Sequence, residues 1–352
     1  MADVQPFRAI RYARPSDSVV APPYDVLDGA AVDRYRTLDP YNVVHLTLAP
    51  DEAEAGRRFH AWVAEGVLLR DEEPSAWVVA QDYVGPDGVA RRREGIVASL
   101  RVEPYGTGAV LPHERTHAGP KESRLRLLRA ARAQLEPIFL LYDGAPPVVA
   151  PDGPAELEAE GTRLWRIDGT GLQEFFAERQ LLIADGHHRY ETAVAYAQET
   201  RGASDRMLVV LVSTSDPGLE IFPTHRVFAG RPDVDPPGEE LGTAEKALAR
   251  LEREPYERSA AVFARERVVR LVHGETGELD VEFVDRFGHD GLSYTASSED
   301  ALARIANGDR VFLLRATRIE DVFERARGGE VMPQKTTYFF PKLLSGLLFH
   351  PV

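Results

Sequence analysis

The segment Asp185-Gly186-His187-His188-Arg189 concentrates more chemistry than any other five residues of the chain. A glycine turn feeding a helix start exposes backbone N–H groups where the helix dipole favours an anion. The spacing therefore predicts a phosphate site built from Gly186, His187, His188 and Arg189, with Asp185 capping the helix, orienting a hydroxyl or holding Mg²⁺. Charge-assisted hydrogen bonds to such an anion contribute roughly 1.5–3 kcal/mol each. The bland alternative is an ordinary Asp/Gly helix start whose first-turn arginine pairs with a nearby carboxylate. Against it, adjacent histidines on a helix project about 100° apart, so burying one turns the other toward a cleft or solvent.

Other stretches supply groups suited to the same work. His113-Glu114-Arg115-Thr116-His117 fits the zinc-peptidase pattern His-Glu-x-x-His, with Glu136 as a conceivable third ligand. That chemistry needs both histidines on one face of a helix, yet Pro112 precedes the motif and Gly119-Pro120 follow it. Without zinc, Glu114 is a candidate general base and His113 a contact for phosphate or carboxylate, while a surface loop tied by Glu–Arg pairing remains open. Pro22-Pro23 stiffen the backbone before Tyr24 and Asp25, which are candidate substrate contacts. Thr224-His225-Arg226 offers three donors to an anion, and Lys335 offers a cation without the glycine loop of a P-loop.

The elements that must position these residues read as mixed α/β. Val43 to Leu48 is expected as a strand, residues 51–69 as an amphipathic helix, and residues 77–84 and 89–102 as a hairpin around Gly85-Pro86-Asp87-Gly88. A helix with a basic outer face (Arg124, Arg126, Arg129, Arg132) spans Lys121 to Leu135, followed by a buried strand from Pro137 to Tyr142. The Pro-, Gly- and Ala-rich residues 143–161 form the expected boundary between portions 1–142 and 162–352, which are expected to pack as one unit. Beyond it, Leu181 to Ala184 reads as a strand meeting the Asp-Gly turn and a helix. Further strands are expected at 206–214, 268–272, 281–284 and 311–315.

Bulk properties narrow the function classes. With 56 acidic and 42 basic residues the net charge is −14, which opposes nucleic acid as a partner. No apolar run approaches a membrane span, and the amino-terminal stretch has no secretory h-region, so the cytoplasm is the expected compartment. Cysteine is absent, which excludes disulfides and thiolate chemistry.

Six motifs in order, Ala21-Pro-Pro-Tyr-Asp-Val26, His113-Glu-Arg-Thr116, Glu136-Pro-Ile-Phe139, Ala184-Asp-Gly-His-His-Arg-Tyr190, Pro223-Thr-His-Arg226 and Lys335-Thr-Thr-Tyr-Phe-Phe-Pro-Lys342, resemble the domain of unknown function 1015 family over nearly the whole chain. The Asp-Gly-His-His-Arg box is also similar to the second signature of the ParB and sulfiredoxin superfamily, which includes an archaeal free serine kinase. That resemblance implies a nucleotide-binding element within a larger α/β protein. It also implies a phosphotransferase that uses ATP or ADP and Mg²⁺ and acts on a small hydroxyl compound, with free L-serine the specific expectation. In this reading Glu114 or Asp185 takes the acceptor's proton, and His188, Arg189, Arg226 and Lys335 hold phosphates. A nucleotide-binding regulatory protein without turnover is the alternative, a zinc peptidase the third; a homodimer is left open.

Overall fold

The computed structural model describes all residues except 115–117. The chain forms two compact units: residues 1–83, 90–219 and 341–352 make the first, residues 84–89 and 220–340 the second. The chain thus leaves the first unit after Leu219 and returns at Pro341. The 143–161 stretch, expected as a boundary, runs within the first unit, because strands on both sides of it pair in one sheet.

That sheet has nine strands. They are β1 (Val4–Gln5), β2 (Ala76–Val84), β3 (Ala90–Arg101), β4 (Val110–Leu111), β5 (Ile138–Tyr142), β6 (Leu157–Ala159), β7 (Thr162–Ile167), β8 (Leu181–Asp185) and β9 (Arg206–Ser213). The order is β4-β8-β5-β9-β3-β2-β7-β6, with β1 also on β3. Two pairs are parallel, β8 with β4 and β9 with β5; the others with a defined register are antiparallel. Every residue of β5 is buried, the mark of a central strand covered on both faces.

The helices that bear on the candidate site are α1 (Glu52–Ala64), α2 (Ala118–Ala131) and α3 (His187–Glu199). Asp51 caps α1 by accepting from the N–H groups of Ala53 and Glu54, and Ala55, Phe59 and Trp62 form its inner face. Gly56 lets α1 approach α2, since a Cβ there would lie 2.5 Å from the Ala130 carbonyl oxygen. Tyr190 and Ala193 of α3 join Ile138, Leu140, Leu181 and Ile183 in the core.

Two stretches expected as strands are helical. Residues 44–47 form a short turn of helix because Asn42 fixes the backbone: its Oδ1 accepts from Val44 N (2.9 Å), and its Nδ2 donates to the carbonyls of Ser18 and Val20. Residues 280–285 are a helix in the second unit, where Val281 and Val284 point into the core at helical spacing. The expected helices over 51–69 and 121–135 end at Ala64 and Ala131, and short strands follow at Leu68–Arg70 and Ala133–Gln134; the other strand expectations hold with shifts of a few residues at their ends.

The second unit is a six-stranded sheet of β10 (His225–Phe228), β11 (Glu239–Glu240), β12 (Arg258–Arg265), β13 (Val268–Thr276), β14 (Leu292–Thr295) and β15 (Arg310–Leu313). Its order is β11-β13-β12-β15-β10-β14, antiparallel throughout. Alternation along the strands sends Val227, Val262 and Val311 to one face under α4 (Ala244–Leu251). It sends Phe228, Phe263 and Phe312 to the other, under α5 (Asp280–Asp285). Among the described residues, no helix is long and apolar enough to cross a membrane.

Candidate phosphate site at the start of helix α3

The expected strand, turn and helix are all present around Gly186. β8 ends at Asp185, Gly186 is the N-cap residue, and α3 begins at His187. Gly186 has φ +101°, a left-handed conformation that glycine adopts without steric cost. A side chain would also collide with Ile138, whose Cγ2 would stand 2.6 Å from the added Cβ. The helix start carries no side-chain cap, and its first intrahelical bond is Tyr190 N to Gly186 O, so the N–H groups of residues 187–189 precede the helical ladder.

Asp185 sits between two cations. Its Oδ2 accepts from Arg189 Nη2 at 2.6 Å, one turn along α3, and its Oδ1 meets Lys342 Nζ at 2.5 Å. Burial alone would raise the Asp185 pKa, but the Lys342 ammonium and the Arg189 guanidinium outweigh it and hold the carboxyl well below the usual carboxylate range. Arg189 also donates to the carbonyl of Pro137, the residue just before β5. Burial disfavours its charge, yet Asp185, Glu136, Asp25 and Tyr24 together keep the guanidinium more firmly protonated than usual.

The parallel pairing of β4 with β8 brings the His113 loop alongside. Leu111 pairs with Leu182, and two residues further on His113 lies buried with Nδ1 donating to Ile183 O (2.6 Å). Its backbone N donates to His187 Nε2 at 3.3 Å, and the two rings meet edge to face with centroids 4.7 Å apart. Burial pushes His113 down to about 4 and His187 well below its ordinary value, so both are neutral imidazoles at pH 7. His188 is half-buried one position along the helix, so the adjacent histidines diverge in burial as helical geometry requires.

Glu136 organises the other side. Its Oε1 accepts from Tyr24 N (3.1 Å) and Ser345 Oγ (2.9 Å), while Arg124 Nη1 stands 3.9 Å from Oε2. Arg124 also lies over the Tyr24 ring, 4.2 Å from its centroid. A small cavity of about 30 Å³ lies between Arg124, Glu136, Arg189 and Thr192, room for a water molecule rather than an organic ligand. Burial, the largest influence, raises the Tyr24 phenol, while Asp25 beside it is exposed. Of the basic helix, Arg126 pairs with Glu52 and Arg129 with Glu199 on a solvated face, while Arg124 turns to the site.

The structure therefore brings together Tyr24, His113, Asp185, Gly186, His187 and Arg189 around one end of β8, with Glu114 adjoining His113 and Asp25 adjoining Tyr24. It adds three residues that the sequence did not single out for this site: Arg124, Ser345 and Lys342. Lys342 closes the Lys-Thr-Thr-Tyr-Phe-Phe-Pro-Lys motif, whose first lysine carried the expectation. Thr224, His225, Arg226 and Lys335 belong to the second unit. There Arg226 is fully buried and spends its donors internally, on Asp285 (3.2 Å) and the carbonyls of Thr224 (2.6 Å) and Lys335 (3.1 Å). His225 Nδ1 accepts from Leu314 N at 3.1 Å, and burial pushes its pKa down to about 4. The Lys335 side chain is exposed on a backbone of φ +56°.

His113 and Glu114 are not helical, whereas the zinc-peptidase motif needs its residues on a helix; His117 lies outside the described residues. Among the described residues, no group of three His, Cys, Asp or Glu side chains could hold a metal ion. Asp185, with a cation on each oxygen, does not fit a divalent ion either.

A mixed α/β protein with a glycine-capped helix start at the end of a sheet strand is the class defined by this geometry. A match over residues 4–286 identifies the chain further: it belongs to the family described as protein of unknown function (DUF1015). No curated protein matches it. Similar solved structures include a conserved hypothetical protein from Pyrococcus furiosus (19% identity, 68% of this chain and 92% of that one, TM-score 0.34). Also similar are SbnI with a C-terminal truncation from Staphylococcus aureus (12%, 71% and 85%, 0.42) and a free serine kinase in complex with AMP (18%, 70% and 97%, 0.35). Likeness this low carries nothing about chemistry.

Proposed function

We propose that the first unit binds the phosphates of ATP or ADP at the start of α3 and transfers a phosphoryl group to a small hydroxyl compound, free L-serine being the first acceptor to test. The observation that carries this reading is the uncapped helix start at Gly186 with Arg189 and Lys342 converging on Asp185 beside it. Phosphoryl transfer demands positioning and charge neutralisation more than covalent help. N–H groups of the first turn and the Arg189 guanidinium are suited to equatorial phosphate oxygens, with His188 beside them.

Within this proposal Asp185 is an anchor for cations rather than the base. A general base works best with a pKa near the operating pH, whereas this carboxyl is held far below it. Glu114 then takes the acceptor's proton, and Tyr24 with Asp25 flanks the acceptor. Magnesium usually keeps several waters and is held largely by substrate phosphates, so no step is assigned to a protein-bound metal. The test is transfer from ATP or ADP with Mg²⁺ to a panel of hydroxyl compounds led by L-serine. Product formation abolished by Arg189→Ala supports the proposal. Nucleotide binding without product from any acceptor would replace it with a regulatory role, and no nucleotide binding would remove the site itself.

A further inference from the structure

Residues 341–352 return to the first unit as a strap. The strap crosses the sheet face opposite α3, since the Val97 and Val210 side chains it meets alternate with Ala98, Val209 and Leu211, which pack beneath Tyr190 and Ala193. Leu343, Leu344, Leu347 and Leu348 turn to that face, and a cavity of about 30 Å³ remains between them and the sheet. Aliphatic side chains predominate in its lining, so packing contacts are lost there with few polar partners for water. The main chain is also sparsely tied. Among the described residues, Ser345 is the one position from 343 to 348 that exchanges main-chain hydrogen bonds, donating to Ala21 O (2.8 Å) and accepting from Ala21 N (3.2 Å). Few main-chain bonds over an incompletely packed face mark a segment of low local stability.

That weakly held segment carries the ties of the candidate site. Lys342 reaches Asp185, and the Ser345 hydroxyl donates to Glu136 Oε1 at 2.9 Å. The same carboxylate oxygen accepts from Tyr24 N at 3.1 Å. Pro22 and Pro23 have no N–H, so the loop from Ala21 to Tyr24 is fastened through two amides. One of them bonds the strap's backbone; the other bonds the carboxylate that the strap's Ser345 also holds. At the far end, Phe349 exchanges main-chain bonds with Ile10, and His350 pairs with Gln134.

We propose that the strap is a latch for the candidate site: it releases and redocks as one cooperative unit with the loop of residues 21–24, while the nine-stranded sheet stays folded. Docking sets the Lys342–Asp185 and Ser345–Glu136 contacts together, and release frees both. The latch needs no bound molecule, so it stands apart from the proposed nucleotide binding. A ligand that touches Tyr24 or Asp185 only in the docked state holds the latch closed through that difference in affinity.

The test is native-state hydrogen exchange of the full chain in low denaturant, read by NMR at the amides of Tyr24, Ser345 and Phe349 and at those of β9. Wild type is compared with Ser345→Ala and Val97→Ile. In wild type the amides of Tyr24, Ser345 and Phe349 should open together, at least ~10-fold more often than β9. Ser345→Ala removes the hydroxyl tie and should speed exchange at Tyr24 by about 5-fold or more, with β9 unchanged. Val97→Ile places a methyl group in the cavity and should slow exchange at all three positions. Tyr24 exchanging as slowly as β9 in wild type would overturn the latch. So would a Ser345→Ala chain whose Tyr24 amide keeps the wild-type rate, or whose β9 amides accelerate by the same factor. The two variants act in opposite directions, so a Ser345→Ala chain that fails to fold leaves Val97→Ile to decide: unchanged exchange at the three amides in that variant would overturn the latch as well.

Discussion

Arg189 and Arg226 look alike in sequence, each closing a short motif that contains histidine, and each is buried, yet the two units use them differently. Arg226 lies in mid-strand, fully enclosed, with its donors taken up by Asp285 and main-chain carbonyls; it is a tie that holds the second unit together. Arg189 lies on the first turn of a helix whose start has no side-chain cap, shares its carboxylate with Lys342, and keeps a margin of exposure. What separates them is where each arginine stands: Arg226 is tied within a strand to Asp285 and to carbonyl oxygens, whereas Arg189 stands on the first turn of a helix and meets Asp185 beside Lys342.

The largest effect that would break this contrast is on stability. Arg226→Ala leaves Asp285 buried without its cation, and breaking such a pair costs about 3–5 kcal/mol. Chemical denaturation should register that loss in the second unit, and a folded, near-wild-type Arg226→Ala would mean the arginine is available for ligand after all. Next, Gly186→Ala forces a side chain into a left-handed backbone and against Ile138, at a cost of about 1–3 kcal/mol. It should also weaken ADP binding by displacing the first turn of α3.

Acid sharpens the contrast further. His113, His187 and His350 in the first unit and His225 in the second are buried with pKa values pushed below 6.5, to about 4 for His113, His350 and His225. Burial favours the neutral ring in the fold, while the unfolded chain takes up protons below about 6.5. The unfolded state therefore binds more protons between about 6.5 and 4, and stability falls as pH drops through that window. With three such rings against one, the first unit should lose more stability than the second between pH 6.5 and 4, and His113→Gln should flatten its curve. Equal loss in the two units would argue against burial of the first unit's histidines. The smallest effect is expected on the outer face of α2: Arg129→Ala removes a solvated pair with Glu199 and should leave ADP affinity unchanged.

How far the sequence could be read follows from where each signal lies. Strand, turn and helix around Gly186 were legible because an apolar run, a glycine and a helical period occur within twenty residues. The divergence of buried His187 from half-buried His188 was legible from helical geometry alone. Lys342 was not, since a lysine after Phe-Phe-Pro has no spacing rule linking it to a residue 157 positions earlier. Only the returning strap creates that contact. Arg226 was misread for a similar reason: donors suited to phosphate are equally suited to carbonyl oxygens, and only the fold shows which it meets. The helix at 280–285 looked like a strand because Val281-Glu282-Phe283-Val284 is too short to separate the two periods.

The most direct test is the affinity of the full chain for ADP, with and without Mg²⁺, compared between wild type and Arg189→Ala by calorimetry. A phosphate site at the start of α3 predicts saturable binding in wild type, weakened by about 10-fold or more in the variant, with its thermal midpoint used to confirm folding. No binding in wild type, or equal binding by a folded Arg189→Ala, would contradict the account.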